Sequence, residues 1–205
     1  MTDERKHPLA ICESCPLASA KGPVLGRGPT GEECKLLVVG EAPGIHEVRK
    51  GAPFVGPSGQ LLDSVLSAVG WTLAEVRMTN AVLCMPPDNE PPAPKAVACC
   101  RPRLHAEMNE NPAAVLVTVG NVALQAVSAL TGILKHRGRW CKTLEGRNFL
   151  PTIHPAFVLR NAGALTELER DFEKSKRAIP SPLADFKPTI ARVWPPSLAY
   201  RSVVV

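Results

Sequence analysis

The sequence is poor in features that would mark a membrane or secreted protein. No run of apolar residues approaches the roughly 20 that a membrane-spanning helix needs. The N-terminal residues MTDERKHPLA are charged and include no apolar stretch of signal-peptide length. Aromatic residues make up only 4% of the chain, so an aromatic side chain within a loop is conspicuous. We therefore expect a soluble, intracellular and cytoplasmic protein that has no contact with a membrane.

The chain also lacks a strong charge imbalance. Its 24 Lys and Arg residues exceed its 19 Asp and Glu residues, which gives a net charge of +5 at pH 7. A mildly basic protein is compatible with a polyanionic partner such as nucleic acid, but its charge alone does not identify one. Apolar residues make up 45% of the 205 positions, enough for the core of one globular domain.

Cysteine, in contrast, is abundant, with seven residues. Without a secretory signal a disulfide framework is disfavoured, and metal binding or buried thiols are better interpretations. Cys12 and Cys15 form a C-x2-C pair, and Cys84 is followed by Cys99 and Cys100. On spacing alone, four thiolates from this set suit either tetrahedral zinc or an iron–sulfur cluster.

Short apolar runs alternate with helical patterns along the chain, which is typical of an α/β fold. The predicted strands are 35–40, 77–83, 113–119 and 148–152. The predicted helices are 59–70, 95–108, 122–130 and 161–179. We expect a three-layer α/β/α sandwich with a mainly parallel four-stranded central sheet over residues 1–179, including an N-terminal arm. Residues 180–205 form a Pro-rich C-terminal tail that is either disordered or wrapped over the domain.

Two predicted loops, 41–58 and 153–161, leave the carboxyl ends of strands, where ligands gather in parallel sheets. The first loop, together with the last residue of the strand before it and the first residues of the helix after it, has the sequence GEAPGIHEVRKGAPFVGPSGQLL (Gly40–Leu62). The second loop includes HPAFVLRN (His154–Asn161). Together and in this order, they resemble the two signature motifs of the family-four, iron–sulfur uracil-DNA glycosylases. The likeness extends from about Cys12 to about Phe172 and therefore covers most of the chain.

The resemblance implies a DNA repair enzyme. Such an enzyme flips deoxyuridine out of DNA and hydrolyses its N-glycosidic bond, which releases uracil and leaves an abasic site. The partner that it implies is uracil-containing DNA, single- or double-stranded, bound by a monomeric and nucleoid-associated protein. No lyase nucleophile is identifiable in the sequence, so the resemblance implies a monofunctional hydrolase.

The first motif supplies two carboxylates beside a Gly-rich turn, with Gly40 and Ala42 expected to face the uracil. A carboxylate near the sugar can stabilise an oxocarbenium-like transition state and activate the attacking water. The resemblance implies Glu41 as the first choice for this role and Glu47 as the second. The family commonly has an acid directly after the second position, where this chain has Val48. That departure bears on the role assigned to Glu47 and does not affect the role assigned to Glu41.

Three further residues complete the implied uracil pocket. Phe54 matches the aromatic residue that stacks on the flipped base. Asn80 matches the amide that donates to uracil O4 and accepts from N3–H, a combination that cytosine cannot satisfy. His154 matches the histidine that points at uracil O2 and stabilises charge on the leaving group. A neutral imidazole that donates one hydrogen bond suffices for that role.

DNA contacts are implied at the edges of the motifs. Pro57 and Ser58 are expected to contact phosphate at the start of a helix, and Arg160 to meet the DNA near the extruded base. Asp88 and Glu90 stand in a loop where the family often has a basic residue, and two acids beside a DNA surface should weaken binding. The loop also lacks the His-bearing insertion of relatives that crosslink to uracil-DNA.

The resemblance also selects among the metal interpretations. It implies a [4Fe–4S] cluster held by Cys12, Cys15, Cys84 and Cys100, with a structural role. Cys99 competes for the last position, but the context CRPRL at 100–104 is similar to that of the family's fourth ligand.

Three other functions remain open from the sequence. The chain could bind uracil-DNA with little turnover, which Val48 and the acidic loop would suit. It could excise another deaminated base such as hypoxanthine. A zinc-stabilised interaction module is the fourth and least specific interpretation.

Overall fold

The computed structural model describes residues 7–178, so Ile179 and the predicted tail at 180–205 lie outside the described residues. Within this range the chain forms five strands and seven α-helices. The strands are β1 (Leu36–Gly40), β2 (Val76–Asn80), β3 (Val115–Val119), β4 (Cys141–Lys142) and β5 (Asn148–Thr152). The helices are α1 (Ile45–Lys50), α2 (Pro57–Ala68), α3 (Pro94–Glu110), α4 (Asn121–Val127), α5 (Ile133–His136), α6 (Pro155–Arg160) and α7 (Leu165–Arg177). None of them is long and apolar enough to cross a membrane.

The strands form one sheet in the order β2-β1-β3-β5-β4. The first four strands in this order run parallel, and β4 pairs antiparallel with β5. The predicted α/β class with a mainly parallel sheet is therefore confirmed, but the predicted count of four strands is one too low. The additional strand β4 has only two residues, too few to give an apolar pattern in the sequence.

The sheet is covered on both faces, which is why its strands read as continuous apolar runs. All five residues of β1 are buried. Leu37 and Val39 pack in one core cluster with residues of α3 and α4. Leu36 and Val38 pack in a second cluster with residues of α2 and α7. This alternation along one strand confirms the predicted three-layer sandwich.

Two segments that the sequence predicts as loops contain short helices. Helix α1 lies within 41–58, and α6 lies within 153–161. Helix α6 begins at Pro155, a residue that suits the first helical position because its missing N–H would have no helical partner there. Both helices have six residues, so neither presents enough turns for periodicity to reveal it.

The register of the parallel strands aligns the residues at which they end. Gly40 of β1 lies opposite Asn80 of β2, and Val119 of β3 lies opposite Thr152 of β5. The segments that follow these four residues therefore leave the same edge of the sheet, and both motif segments begin there.

Candidate active site

Gly40, Phe54 and Asn80 meet at this edge of the sheet. A Cβ atom added to Gly40 would lie 2.5 Å from Cζ of Phe54 and 2.5 Å from Oδ1 of Asn80. Only glycine permits this approach of an aromatic ring and an amide to the strand end. The Asn80 side chain is nearly buried, with 3% of its surface exposed, yet no described residue hydrogen-bonds to its amide group. A buried amide without a partner is available to a ligand.

Phe54 is held in a left-handed turn, with φ 54, a conformation that is uncommon for residues other than glycine. Arg27 donates from Nε to the Pro53 carbonyl at 2.9 Å and from Nη2 to the Phe54 carbonyl at 3.3 Å. A Cβ atom at Gly59 would overlap the Phe54 backbone. The ring position therefore depends on a basic side chain on one side of the turn and on close backbone packing on the other.

The Glu47 carboxylate organises the same turn from within the motif. Its Oε1 accepts the N–H groups of Val55 at 2.9 Å and Gly56 at 2.7 Å. Its Oε2 accepts the N–H of Gly44 at 3.1 Å. With both oxygens used by backbone donors, Glu47 is suited to holding the loop and is poorly placed to accept a proton from water.

Glu41 follows β1 directly and differs from Glu47 in its surroundings. Its side chain is half-buried, and none of the described residues forms a hydrogen bond or ion pair with its carboxylate. Burial raises the pKa of the Glu41 carboxyl above its ordinary value. A carboxylate with free acceptor positions at a strand end can bind and deprotonate a water molecule.

His154 lies at the same edge, two residues after β5. Its Nδ1 accepts the Ala156 N–H at 3.1 Å as the N-cap of α6, so the neutral ring carries its proton on Nε2. Burial, with a smaller contribution from the nearby Arg160, lowers the pKa of His154 to about 4. The imidazole is therefore neutral at pH 7 and retains one N–H to donate. A Cβ atom on Gly120, which has φ 92, would lie 3.2 Å from Cβ of His154.

The order of the strands sets the spacing across the site. β1, which leads to Glu41, is separated from β5, which leads to His154, by β3 alone. Neighbouring strands lie about 4.8 Å apart, so β1 and β5 are roughly 10 Å apart. Ala42, the other predicted uracil contact, is half-buried and packs against the α3–α4 side of the core.

The predicted DNA contacts lie on neighbouring helices. Pro57 is the first residue of α2 and is exposed, whereas Ser58 is half-buried. Arg160 is the last residue of α6 and is exposed. Helices α2 and α6 pack against each other, so these residues lie on one side of the sheet. Their contacts with DNA stay a prediction.

The N-terminal arm brings the C-x2-C pair to helix α3. Cys12 begins a single helical turn that Cys15 caps, and Ile11 donates its N–H to the Cys99 carbonyl at 2.9 Å. Burial raises the pKa of the thiols of Cys15 and Cys100, and the neighbouring cysteines raise it further. Four thiols suit a soft metal centre, although no three of the His, Cys, Asp and Glu side chains in 7–178 converge on a preformed metal position.

Cys84 and the acidic loop lie near this arm and the first motif. Cys84 packs against the same core cluster as Cys100, and a Cβ atom on Gly22 would lie 3.4 Å from the Cys84 sulfur. Asp88 and Glu90 are exposed. Between them, Oδ1 of Asn89 would lie 3.7 Å from a Cβ atom on Gly44, so the acidic loop borders the motif turn.

Sequence reasoning missed two arginines that support this site. Arg27 secures the Phe54 turn, and Arg103 donates to the carbonyl of Asn80 at 2.6 Å. Both lie outside the two motifs, and Arg103 is 23 positions from the residue that it supports. A buried arginine needs partners for its charge, but the sequence gives no signal for which backbone groups provide them.

Comparisons with known proteins identify the family of the chain. Residues 26–179 match the uracil DNA glycosylase superfamily. The chain is 35% identical to the Type-4 uracil-DNA glycosylase of Thermotoga maritima, over 82% of this chain and 89% of that protein. It is 31% identical to the Type-4 uracil-DNA glycosylase of Archaeoglobus fulgidus, over 84% of this chain and 90% of that protein. A Type-5 uracil-DNA glycosylase of Thermus thermophilus is 29% identical, over 77% and 88% of the two chains. The chain therefore belongs to the uracil-DNA glycosylase superfamily, within its type-4 branch.

Proposed function

We propose that this protein flips deoxyuridine out of DNA and hydrolyses the N-glycosidic bond, releasing uracil and leaving an abasic site. The observation that carries the proposal is the contact of Gly40, Phe54 and Asn80 beside the carboxylate of Glu41, which has no hydrogen-bond partner among residues 7–178. These groups can contact a base face, a base edge and a sugar at once. The Type-4 uracil-DNA glycosylases to which the chain is similar support the same reaction.

In the proposed reaction, Glu41 acts on the sugar side. As the bond to uracil breaks, positive charge develops on the deoxyribose, and the carboxylate stabilises it. Glu41 accepts a proton from water, and the resulting hydroxide adds to C1′. Burial raises the pKa of Glu41, which makes its carboxylate a stronger base than that of an exposed glutamate.

On the base side, His154 stabilises the leaving group. The electrons of the broken bond move into uracil, and negative charge develops at O2. Nε2–H of His154 donates a hydrogen bond to this oxygen as the charge forms. The low pKa of His154 keeps the ring neutral, so the stabilisation comes from the hydrogen bond and not from a full positive charge. Stacking of the uracil on Phe54 is worth roughly 1–3 kcal/mol.

Asn80 reads the edge of the base. Its amide donates to O4 and accepts from N3–H, whereas cytosine presents an amino group and an unprotonated N3 at these positions. We expect Asn80→Asp to lower the preference for uracil over cytosine by about 100-fold or more, since sites that pair with a base edge reject mismatched donors by large factors. Release of each base from matched oligonucleotides measures this ratio. An unchanged ratio would refute the assignment of Asn80.

The deciding experiment measures uracil release from a deoxyuridine oligonucleotide, both single- and double-stranded, followed by alkaline scission at the abasic site. Tight binding without scission would select the alternative of a uracil-DNA binder. Scission at hypoxanthine and not at uracil would select the other deaminated base. Sedimentation of the protein with and without the oligonucleotide tests the proposed monomer.

We also propose that Cys12, Cys15, Cys84 and Cys100 hold a [4Fe–4S] cluster. When bound, the cluster supplies a structural crosslink through four thiolates. The chain contributes to this end on its own, because the arm is fixed to α3 by the bond from Ile11 to Cys99. In addition, the Leu17 N–H points at the Cys15 sulfur at 3.4 Å, a type of contact that stabilises thiolate sulfur.

The choice between the adjacent cysteines is testable. We expect Cys100→Ser to abolish the visible absorbance and to lower Tm by about 10 °C, because a loss of about 3 kcal/mol shifts Tm by this much in a domain of this size. Cys99→Ser is the matched control, since its side chain is equally buried, and it should keep both the colour and the Tm. Bleaching in Cys99→Ser alone would transfer the ligand to that position.

A further inference from the structure

At the carboxyl end of β2, the outer edge of the sheet is completed by a side chain instead of a strand. Among the described residues β2 pairs with β1 on one side, and its other side forms only the isolated bridge between Met78 and Arg27. Buried backbone carbonyls at such an edge need donors from elsewhere. Nη2 of Arg103, in helix α3, donates to the carbonyls of Asn80 at 2.6 Å and Ala81 at 3.1 Å.

A network of charged and polar groups fixes Arg103 itself. Its Nη1 donates to Glu107 at 2.8 Å and to the Thr79 hydroxyl at 3.1 Å. The Thr79 hydroxyl in turn donates to Glu107 at 2.9 Å, and Arg77 donates to the other Glu107 oxygen at 2.7 Å. Arg103 is 3% exposed and Glu107 6%. The planar guanidinium therefore has little freedom to move.

We propose that Arg103 is a positioning residue for base recognition, which sets the direction of the Asn80 amide toward the uracil edge. This inference rests on the proposed function. The Asn80 side chain contacts Gly40 on its inner side, while Arg103 binds the backbone on its outer side. Without the guanidinium, the carbonyls of Asn80 and Ala81 lose their donor, and the two peptide planes are held only on their inner side, by the N–H groups of Ala81 and Val82. A displacement of about 1 Å at a positioning group can lower the rate by about 100-fold.

Arg147 offers a matched control for the cost of removing a buried arginine. It is 4% exposed and also donates to backbone carbonyls, those of Met108 at 2.7 Å, Asn111 at 2.9 Å and Ala114 at 2.6 Å. Ala114 precedes β3 and Arg147 precedes β5, so Arg147 lies at the opposite end of the strands from Asn80. Its replacement should therefore affect folding without affecting base recognition.

The experiment compares Arg103→Met, Arg103→Lys and Arg147→Met in uracil release, with thermal unfolding and visible absorbance measured on each variant. We expect Arg103→Met to lower kcat/KM by about 30- to 100-fold. Arg147→Met should lower Tm as much as Arg103→Met does, while its kcat/KM stays within about twofold of that of the unmodified protein. When Arg103→Met is added to the Asn80→Ala protein, kcat/KM should fall by less than about a further twofold, because the two residues act as one unit. Arg103→Lys, which cannot reach both carbonyls and Glu107 together, should give an intermediate kcat/KM.

Two results would overturn the inference. One is that Arg103→Met has the same kcat/KM as Arg147→Met, or that Arg103→Met lowers kcat/KM by the same factor whether residue 80 is Asn or Ala. The other, decisive even if Arg103→Met does not fold, is an Arg103→Lys variant with the kcat/KM of the unmodified protein. Failure of the proposed function is distinguishable, because the unmodified protein itself would then release no uracil.

Discussion

Glu41→Gln is expected to lower kcat for uracil release by about 10³-fold, within the range for loss of a general base. The amide keeps the shape of the side chain but can neither accept the proton of water nor stabilise a cationic sugar. Single-turnover kinetics on a deoxyuridine oligonucleotide measure the loss. Folding should not suffer. Burial raises the pKa of Glu41, so ionisation of this residue opposes folding above the pKa of the unfolded chain, and the neutral amide should keep or slightly raise Tm.

The pH dependence of kcat/KM gives an independent check on Glu41. Activity requires the ionised carboxylate, so it should fall as the pH drops through the pKa of Glu41, which lies above the ordinary value. The pKa of His154, about 4, lies lower and should not set this limb. A His154 variant with residual activity should therefore keep the acid limb at the same pH. A limb that moves with His154 would contradict the assignment.

Glu47→Gln is the matched control in the same loop. Its carboxylate already accepts three backbone N–H groups, and a glutamine would direct an amino group at one of these donors. We therefore expect a lower Tm and a smaller loss of kcat than for Glu41→Gln. If Glu47→Gln reduced kcat more than Glu41→Gln, with Tm unchanged, the roles of the two carboxylates would have to be exchanged.

Replacement of His154 should have the second largest effect. His154→Ala is expected to lower kcat by about 10²- to 10³-fold, the usual cost of removing one donor to a developing anion. The same substitution removes the N-cap of α6, which costs about 1 kcal/mol. His154→Asn separates the two effects, because asparagine also caps helices but does not place a donor where Nε2 lies.

The expected pattern is thus similar activity loss in both His154 variants, with a Tm decrease only in His154→Ala. His46→Ala, which removes an exposed imidazole from the first motif, should leave kcat within about twofold of the unmodified protein. Recovery of activity in His154→Asn would mean that the capping hydrogen bond, and not the donor to O2, is what the reaction needs.

The sequence predicts the sheet well because its signals are local. Each parallel strand is an apolar run covered on both faces, and the pattern at 35–40 needs no knowledge of distant residues. Short elements escape such reasoning. β4 has only two residues. Helix α6 begins with Pro155, and a proline in a sequence indicates a loop unless it is known to stand in the first turn of a helix.

The candidate site divides in the same way. Glu41, Phe54 and His154 come from the two motifs, Asn80 comes from a further position of the resemblance, and the topology accounts for their common edge. The different surroundings of Glu41 and Glu47 were not predictable, because the donors to Glu47 come from the turn at 55–56 that only the folded loop creates. The same holds for Arg27 and Arg103, whose partners are backbone groups distant in sequence.

The left-handed turn at Phe54 has a consequence for how quickly a base is captured. Arg27 and Glu47 fix the turn from two sides in the free protein, so the unfavourable backbone geometry is stabilised once, during folding, and not anew in each catalytic cycle. The Phe54 ring is thus already in its final orientation when a nucleotide briefly leaves the DNA double helix. A preorganised aromatic ring therefore captures more of these briefly extruded nucleotides than a ring that must first become ordered around them.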